Sequence, residues 1–235
     1  MKENNIIILP TYNERKNISE LVPEIFKLYP EISILVVDDN SPDGTANVVK
    51  ELQKDFKNLK LLQRKGKEGL GKAYIHAFQE VLKDESVNSV IMMDADFSHN
   101  PKYIAEMLQE IKNHDLVVGS RYIKSGGTKN WELWRRILSF GGNLYCRIIL
   151  RKGIHDYTTG FNCIKADILR KINFNALEFS GYAFIIGIKY HILKTGASAK
   201  EIPIIFCGRI EGESKISNHI ISEGILAPLK LFFAK

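Results

Sequence analysis

Five short, almost unbroken runs of Ile, Val, Leu and Met recur along the first half of the chain, at Ile6–Leu9, Ile32–Val37, Leu59–Leu62, Ser89–Met93 and Leu116–Gly119. Each is too short for a helix and is bounded by turn-forming residues, the pattern of strands buried on both faces. Between them, Ile18–Leu28, Thr45–Phe56, Leu70–Leu82 and Pro101–His114 carry apolar residues at helical spacing. Strand–helix alternation of this kind predicts an α/β fold: a mainly parallel central sheet with helices on both faces. The second half is less regular. Trp131–Leu150 reads as a long amphipathic helix with Trp134, Leu138, Tyr145 and Ile149 on its apolar face, interrupted by Arg135, Arg136 and Arg147. With no repeat, low-complexity tract or linker, the 235 residues are expected to form a single domain.

In open sheets of this type ligands bind beyond the C-terminal ends of the strands. The residues there are polar: Pro10-Thr11-Tyr12-Asn13-Glu14 after the first strand, Asp38-Asp39-Asn40-Ser41 after the second, Asp94-Ala95-Asp96 after the fourth and Ser120-Arg121-Tyr122 after the fifth. Two carboxylates at the end of a buried strand repel one another and resist desolvation, so a cation beside them is the natural compensation. Oxygen ligands select Mg²⁺ or Mn²⁺, often shared with substrate phosphates. A lone acid-x-acid pair also suits a helix N-cap. The second acidic pair, at an equivalent strand end, favours the cation.

Gly66-Lys67-Glu68-Gly69-Leu70-Gly71-Lys72 has the spacing of a phosphate-binding P-loop, but Ala73 stands where that motif needs Ser or Thr, and the loop follows the third strand rather than the first. Glycines here instead let the backbone pass close to a ligand. Arg121, Arg135, Arg136, Arg209 and Lys215 are the candidate phosphate binders, since guanidinium grips phosphate through paired hydrogen bonds and keeps its charge. Arg135 and Ser139, four apart, share a helix face. His99, beside Asn100-Pro101, is read as a local hydrogen-bonder rather than a base.

The net charge of +6 permits an anionic partner. Cys146, Cys163 and Cys207 are too few and too scattered for a disulfide framework, which suits a reducing compartment. The residues ahead of the first strand show no secretion-signal pattern, so none is expected. The apolar C-terminal stretch from Ile220 to Phe233, interrupted by Glu223 and Lys230, falls short of a membrane span. It is expected to lie on a membrane or against a small membrane protein.

Taken in order, PTYNE at 10–14, VVDDNSPDGT at 36–45, GLGKAY at 69–74, DADFSHNP at 94–101, GSRY at 119–122 and TGF at 159–161 resemble the family 2 glycosyltransferases. Asn130-Trp131 with Trp134-Arg135-Arg136, and Arg209 with Gly212-Glu213-Ser214-Lys215, narrow the likeness to the dolichol-phosphate mannose synthases. The resemblance implies a GT-A fold with a Rossmann-like sheet, and inverting transfer of mannose from GDP-mannose to a dolichyl or other polyprenyl phosphate. It implies that Pro10, Tyr12, Glu14, Val37 and Asp39 hold the nucleoside, and that Asp94, Ala95 and Asp96 serve the diphosphate. Asp94, Asp96 and Ser98 form the metal set, Ser98 standing where the family carries Gln. Arg121, Arg209 and Lys215 would contact donor phosphates, and Arg121, Arg135, Ser139 and Arg209 the acceptor phosphate, with Asp94, Asp96 and Arg121 the catalytic group. Residues 1–122 would form the nucleotide-sugar half and 123–235 the acceptor half. The partners implied are a nucleotide-sugar, a lipid phosphate and a membrane surface, with no nucleic acid. The place implied is the cytosolic face of a membrane, endoplasmic reticulum in a eukaryote or plasma membrane in a prokaryote.

Two departures bear on activity. The family's GYxFQxE pattern here reads Gly181-Tyr182-Ala183-Phe184-Ile185-Ile186-Gly187, losing an amide and an acid, and the Arg after TGF is Asn162. A UDP-hexose donor, and a catalytically impaired subunit that only binds nucleotide-sugar or lipid phosphate, therefore stand as competing expectations. The apolar face of 131–150 suits either packing on the sheet or a membrane surface.

Overall fold

The computed structural model describes residues 3–177, 181–208 and 218–233. The five apolar runs become β1 (Asn4–Thr11), β2 (Ser33–Asp38), β3 (Leu59–Gln63), β4 (Val87–Met92) and β5 (Leu116–Ser120). The intervening helices are α1 (Arg15–Leu28), α2 (Thr45–Leu52), α3 (Leu70–Val81) and α4 (Ile104–Glu110). A 3₁₀ turn, Pro101–Tyr103, leads into α4, and the Asn100 side chain caps it by accepting from the Lys102 amide. α2 stops four residues before the predicted Phe56, and the chain descends through turns to β3.

The second half supplies β6 (Gly127–Lys129), α5 (Leu133–Leu150), β7 (Asn162–Lys165), α6 (Ala166–Leu169), α7 (Gly181–Lys194), β8 (Ala199–Pro203), β9 (Ile205–Cys207) and α8 (Asn218–Phe233). The main sheet has the order β3-β2-β1-β4-β7-β5-β8. Only β7 is antiparallel to its neighbours. It lies between β4 and β5, so strands from both halves of the sequence interleave in one sheet. β6 and β9 form a small parallel pair beside it.

β1, β2, β4 and β5 are apolar along most of their length because both faces are covered. Ile6, Ile8, Leu35, Val37, Val90, Met92 and Val118 pack in one layer with α3, α6 and α7. The alternate residues Ile7, Leu9, Ile34, Val36, Ile91 and Val117 pack in the other with α1 and α4. Each fully buried aliphatic side chain contributes about 1.5–3 kcal/mol, so slipping a strand by one residue would exchange the two layers at large cost.

Of the two placements open to its apolar residues, the long helix α5 turns most of them outward, away from the sheet. Its buried residues are Asn143, Cys146 and Leu150, whereas Trp134 and Leu138 are exposed and Tyr145 and Ile149 half-buried. Leu133, Ile137, Phe140, Leu144 and Ile148 also face outward, each more than 40% exposed. α8 packs beside α5, with the Tyr145 hydroxyl donating to the Ile225 carbonyl at 3.0 Å. It adds the exposed residues Ile225, Leu226, Phe232 and Phe233 to the same kind of surface.

Candidate active site

The predicted donor residues stand at the ends of β1 and β2. Asp38 is fully buried and structural: it accepts from the Ser41 amide at 2.9 Å, the Ser41 hydroxyl at 2.5 Å and the Thr11 hydroxyl at 3.0 Å. These bonds brace the turn that presents Asp39. Asp39 in turn is paired with Arg64 at 2.5 Å, both side chains nearly buried. Arg64, just after β3, was not among the expected site residues; its signal was a lone Arg at a strand end, which has many surface counterparts. Lys67 lies 4.3 Å from the centroid of the Tyr12 ring. The glycine-rich loop thus brings cations to the β1–β2 edge, and ends at Gly69, whose φ of +98° admits glycine before α3 begins. Val37 is fully buried in the core, so its side chain is withdrawn from any nucleoside. Pro10, Tyr12 and Glu14 are half-buried at the edge.

At the end of β4, Ala95 and Asp96 are buried and the Asp94 side chain is 34% exposed. Asp96 accepts from the Ser98 amide at 3.1 Å, closing a tight loop in which Phe97 is left-handed, φ +61°. The Ser98 hydroxyl is buried with no hydrogen-bond partner among the described residues. His99 is buried, stacked on Phe161 with ring centroids 4.9 Å apart, and its Nδ1 accepts from the Asp94 amide at 3.1 Å. Burial pushes its pKa down, against the pull of Asp94 and Asp96. A neutral ring whose Nδ1 is an acceptor carries its proton on Nε2. As expected from sequence, His99 bonds locally, and it fixes the main chain that carries the carboxylate pair.

The charges that reach His99 include Asp94, Asp96, Arg121 and Asp156, which brings the ends of β4 and β5 into one electrostatic neighbourhood. Arg121 is buried and clasped by Asp156: Nε and Nη2 each donate at 2.8 Å, and the Arg121 amide at 3.0 Å. Nη2 also donates to the Thr158 hydroxyl at 2.7 Å. Tyr122, Trp131 and Phe206 surround the guanidinium with ring centroids 5.3, 5.5 and 5.4 Å away. Burial works against ionisation of Asp156, yet Arg121 holds its carboxyl below the usual range. Asp156 was missed in the sequence because its role depends on a partner 35 residues away.

Ser139 accepts from the Tyr122 hydroxyl at 2.8 Å, and Asn143 donates to the Thr158 hydroxyl at 2.9 Å, so α5 is tied to the Arg121 cluster at two points. Arg135 lies against the Glu132 carboxylate and the Trp134 ring instead. Arg209 and Lys215 lie outside the described residues. Asp94, Asp96 and Ser98 supply only oxygen donors, and no group of three His, Cys, Asp or Glu able to hold a metal occurs among the described residues. That set fits a divalent cation that arrives with part of its own coordination shell.

The chain matches the model of the glycosyl transferase family 2 over residues 6–173. It belongs to that family. This glycosyltransferase is 37% identical over 225 residues to the polyprenol monophosphomannose synthase of Mycolicibacterium smegmatis, covering 95% of this chain and 84% of the relative. It is 36% identical to the undecaprenyl-phosphate mannosyltransferase of Micrococcus luteus, covering 94% and 90%. Among solved structures, glucosyl-3-phosphoglycerate synthase from Mycobacterium tuberculosis, determined with Mn²⁺, UDP and phosphoglyceric acid, superposes with a TM-score of 0.69. The identity is 15%, with 99% of this chain and 80% of that one covered. Mannosyl-3-phosphoglycerate synthase from Rubrobacter xylanophilus gives 0.63 at 20% identity, covering 98% and 73%. The fold of the family 2 glycosyltransferase described here is GT-A.

Proposed function

We propose that this glycosyltransferase moves mannose from GDP-mannose to the phosphate of a polyprenyl phosphate, with inversion at the anomeric carbon. The observation that carries this reading is α5. One side is hydrogen-bonded into the Arg121 cluster through Ser139 and Asn143, and the other exposes Leu133, Ile137, Leu144 and Ile148. A lipid phosphate needs that combination, a cationic foot at the end of an apolar track. The two polyprenyl-phosphate mannosyltransferases at 36–37% identity support it.

In this reading all 235 residues form one transferase domain, residues 1–122 taking the donor and 123–235 the acceptor. Tyr12 and Glu14 flank the nucleoside, and Asp39 leaves Arg64 or shares it with the ribose. Asp94, Asp96 and Ser98 hold Mg²⁺ or Mn²⁺, which neutralises charge on the departing diphosphate when bound. Arg121, oriented by Asp156, binds phosphate in this reading, a role the sequence resemblance also assigns to Arg209 and Lys215. The attacking phosphate oxygen is already anionic, so positioning rather than proton abstraction is what the protein must supply. His99, neutral and committed to the Asp94 amide, fits that absence of a base.

The exposed faces of α5 and α8 rest on the membrane that contains the acceptor, on its cytosolic side, directly or through a small membrane protein. No helix among the described residues is long and apolar enough to cross a bilayer. Exposed Arg136, Arg147 and Arg151 flank the apolar residues, and each basic residue near an anionic surface adds about 1 kcal/mol.

Incubation with labelled GDP-mannose, undecaprenyl phosphate and Mg²⁺ or Mn²⁺ is expected to yield a labelled lipid. Transfer from UDP-glucose but not GDP-mannose would replace the donor assignment. Nucleotide-sugar binding without transfer under either metal would favour the impaired subunit and overturn the proposal.

A further inference from the structure

Lys189 has no part in the chemistry above, yet its side chain is fully buried. It is a charged residue on α7, whose Phe184, Ile185, Ile186 and Ile188 all belong to the core. Its Nζ donates to three main-chain carbonyls, Asp156 at 3.1 Å, Tyr157 at 3.0 Å and Thr159 at 2.7 Å. Three acceptors match the three N–H groups of an ammonium. A neutral amine has only two, and would turn its lone pair toward the third carbonyl.

The loop gathered in this way carries both ends of the site. Asp156 grips Arg121 through Nε and Nη2, and the Thr159 amide returns to Asp156 Oδ1 at 3.0 Å. One residue on, Gly160 backs the other carboxylate, since a Cβ placed there would lie 3.3 Å from Asp94 Oδ1. Burying an ammonium is costly, and an apolar side chain would fill the same space without that cost. What the charge adds is a fixed loop geometry.

We propose that Lys189 is a positioning residue, whose ammonium draws the carbonyls of residues 156–159 together and so sets where Asp156 holds the Arg121 guanidinium. Its effect on transfer rests on the reaction proposed above; its effect on Arg121 does not. The charged groups around it are Asp156 from the loop before β7, Arg121 from the end of β5 and Glu201 from β8, while Cys146 of α5 stays a neutral thiol, its pKa pushed up to about 12 by burial. Burial brings the Lys189 pKa down to about 7, opposed by Asp156. The clamp belongs to the ammonium form and loosens as pH rises through that lowered pKa.

The test follows the Arg121 Nε–Hε resonance of the full-length protein by NMR, assigned through its loss in Arg121→Lys, from about pH 6 to about pH 9. In the unaltered protein it is expected to titrate with one midpoint near neutrality. In Lys189→Met it should be shifted or broadened and insensitive to pH, and in Lys189→Arg it should hold its acid-side position throughout. Transfer kinetics run in parallel: Lys189→Met is expected to lower kcat about 100-fold, the scale of an ångström-level misplacement, and Lys189→Arg to restore most of it and remove the alkaline fall. An Arg121 resonance unchanged in folded Lys189→Met overturns the proposal. Should the unaltered protein transfer nothing while Arg121 titrates as expected, the positioning role stands and the transfer reaction falls.

Discussion

Phe97 lies between Asp96 and Ser98 with φ +61°, in a region that costs a non-glycine residue about 1–2 kcal/mol. Asn13 and Asn40, in the loops after β1 and β2, share that conformation at φ 60° and 57°, and asparagine tolerates it better than phenylalanine does. The Asp94–Ser98 loop therefore carries strain at its bend, as Ser125 and Arg151 do elsewhere in the chain at φ 70° and 52°. Asp96→Ala is expected to lower metal-dependent transfer by about 100-fold or more, since cation stabilisation of the leaving diphosphate is worth several kcal/mol; loss of Mn²⁺ binding in the presence of GDP, followed by calorimetry, checks it. Gly160→Ala would set a Cβ 3.3 Å from Asp94 Oδ1. It is expected to reduce kcat/KM about 10-fold with little change in Tm, because the aspartate must turn aside. The placement of Asp94, Asp96 and Arg121 just beyond strand ends was legible in the sequence because it follows from the local run of residues. Arg64, Asp156 and Lys189 were not, because each acquires its role from a partner that only the tertiary structure supplies.

Elements were legible where burial is two-sided. β1, β2, β4 and β5 are near-continuous apolar runs, and the edge strand β3 is one broken by exposed Lys60; the structure keeps each to within two residues of its expected ends. β7 was missed because Asn162-Cys163-Ile164-Lys165 is short and polar at both ends, although its Asn162 is fully buried. α5 was found as a helix, while the side to which its apolar residues turn was open in the sequence: periodicity shows which residues group together, not which group turns inward. With the apolar side facing out, Ile137→Asp combined with Leu144→Asp should leave stability within about 0.5 kcal/mol per site, as expected for surface changes. The same double variant should reduce sedimentation with anionic phospholipid vesicles about 10-fold or more. Unchanged vesicle binding would remove α5 from the membrane surface.

For the molecule as a whole, buried charge predicts how stability follows pH. Burial works against ionisation of Asp156, yet the neighbouring Arg121 holds its carboxyl below the usual carboxylate range, so it contributes stability that is present above that range and lost as pH falls through the lower folded pKa. Lys189 works with the opposite sign to a gained ion pair. Its pKa falls from 10.5 to about 7 on folding, so between these values the unfolded chain binds more protons and stability rises with pH. Thermal unfolding from about pH 7 to about pH 10 should show this rise in the unaltered protein and its absence in Lys189→Met. The placement of β7 also bears on synthesis. A ribosome that has extruded residues 1–122 has delivered β4 and β5 but not the antiparallel strand that separates and joins them. Until residues 162–165 emerge, the nascent sheet carries open hydrogen-bonding margins on both, the sort of surface on which unfinished chains adhere to one another.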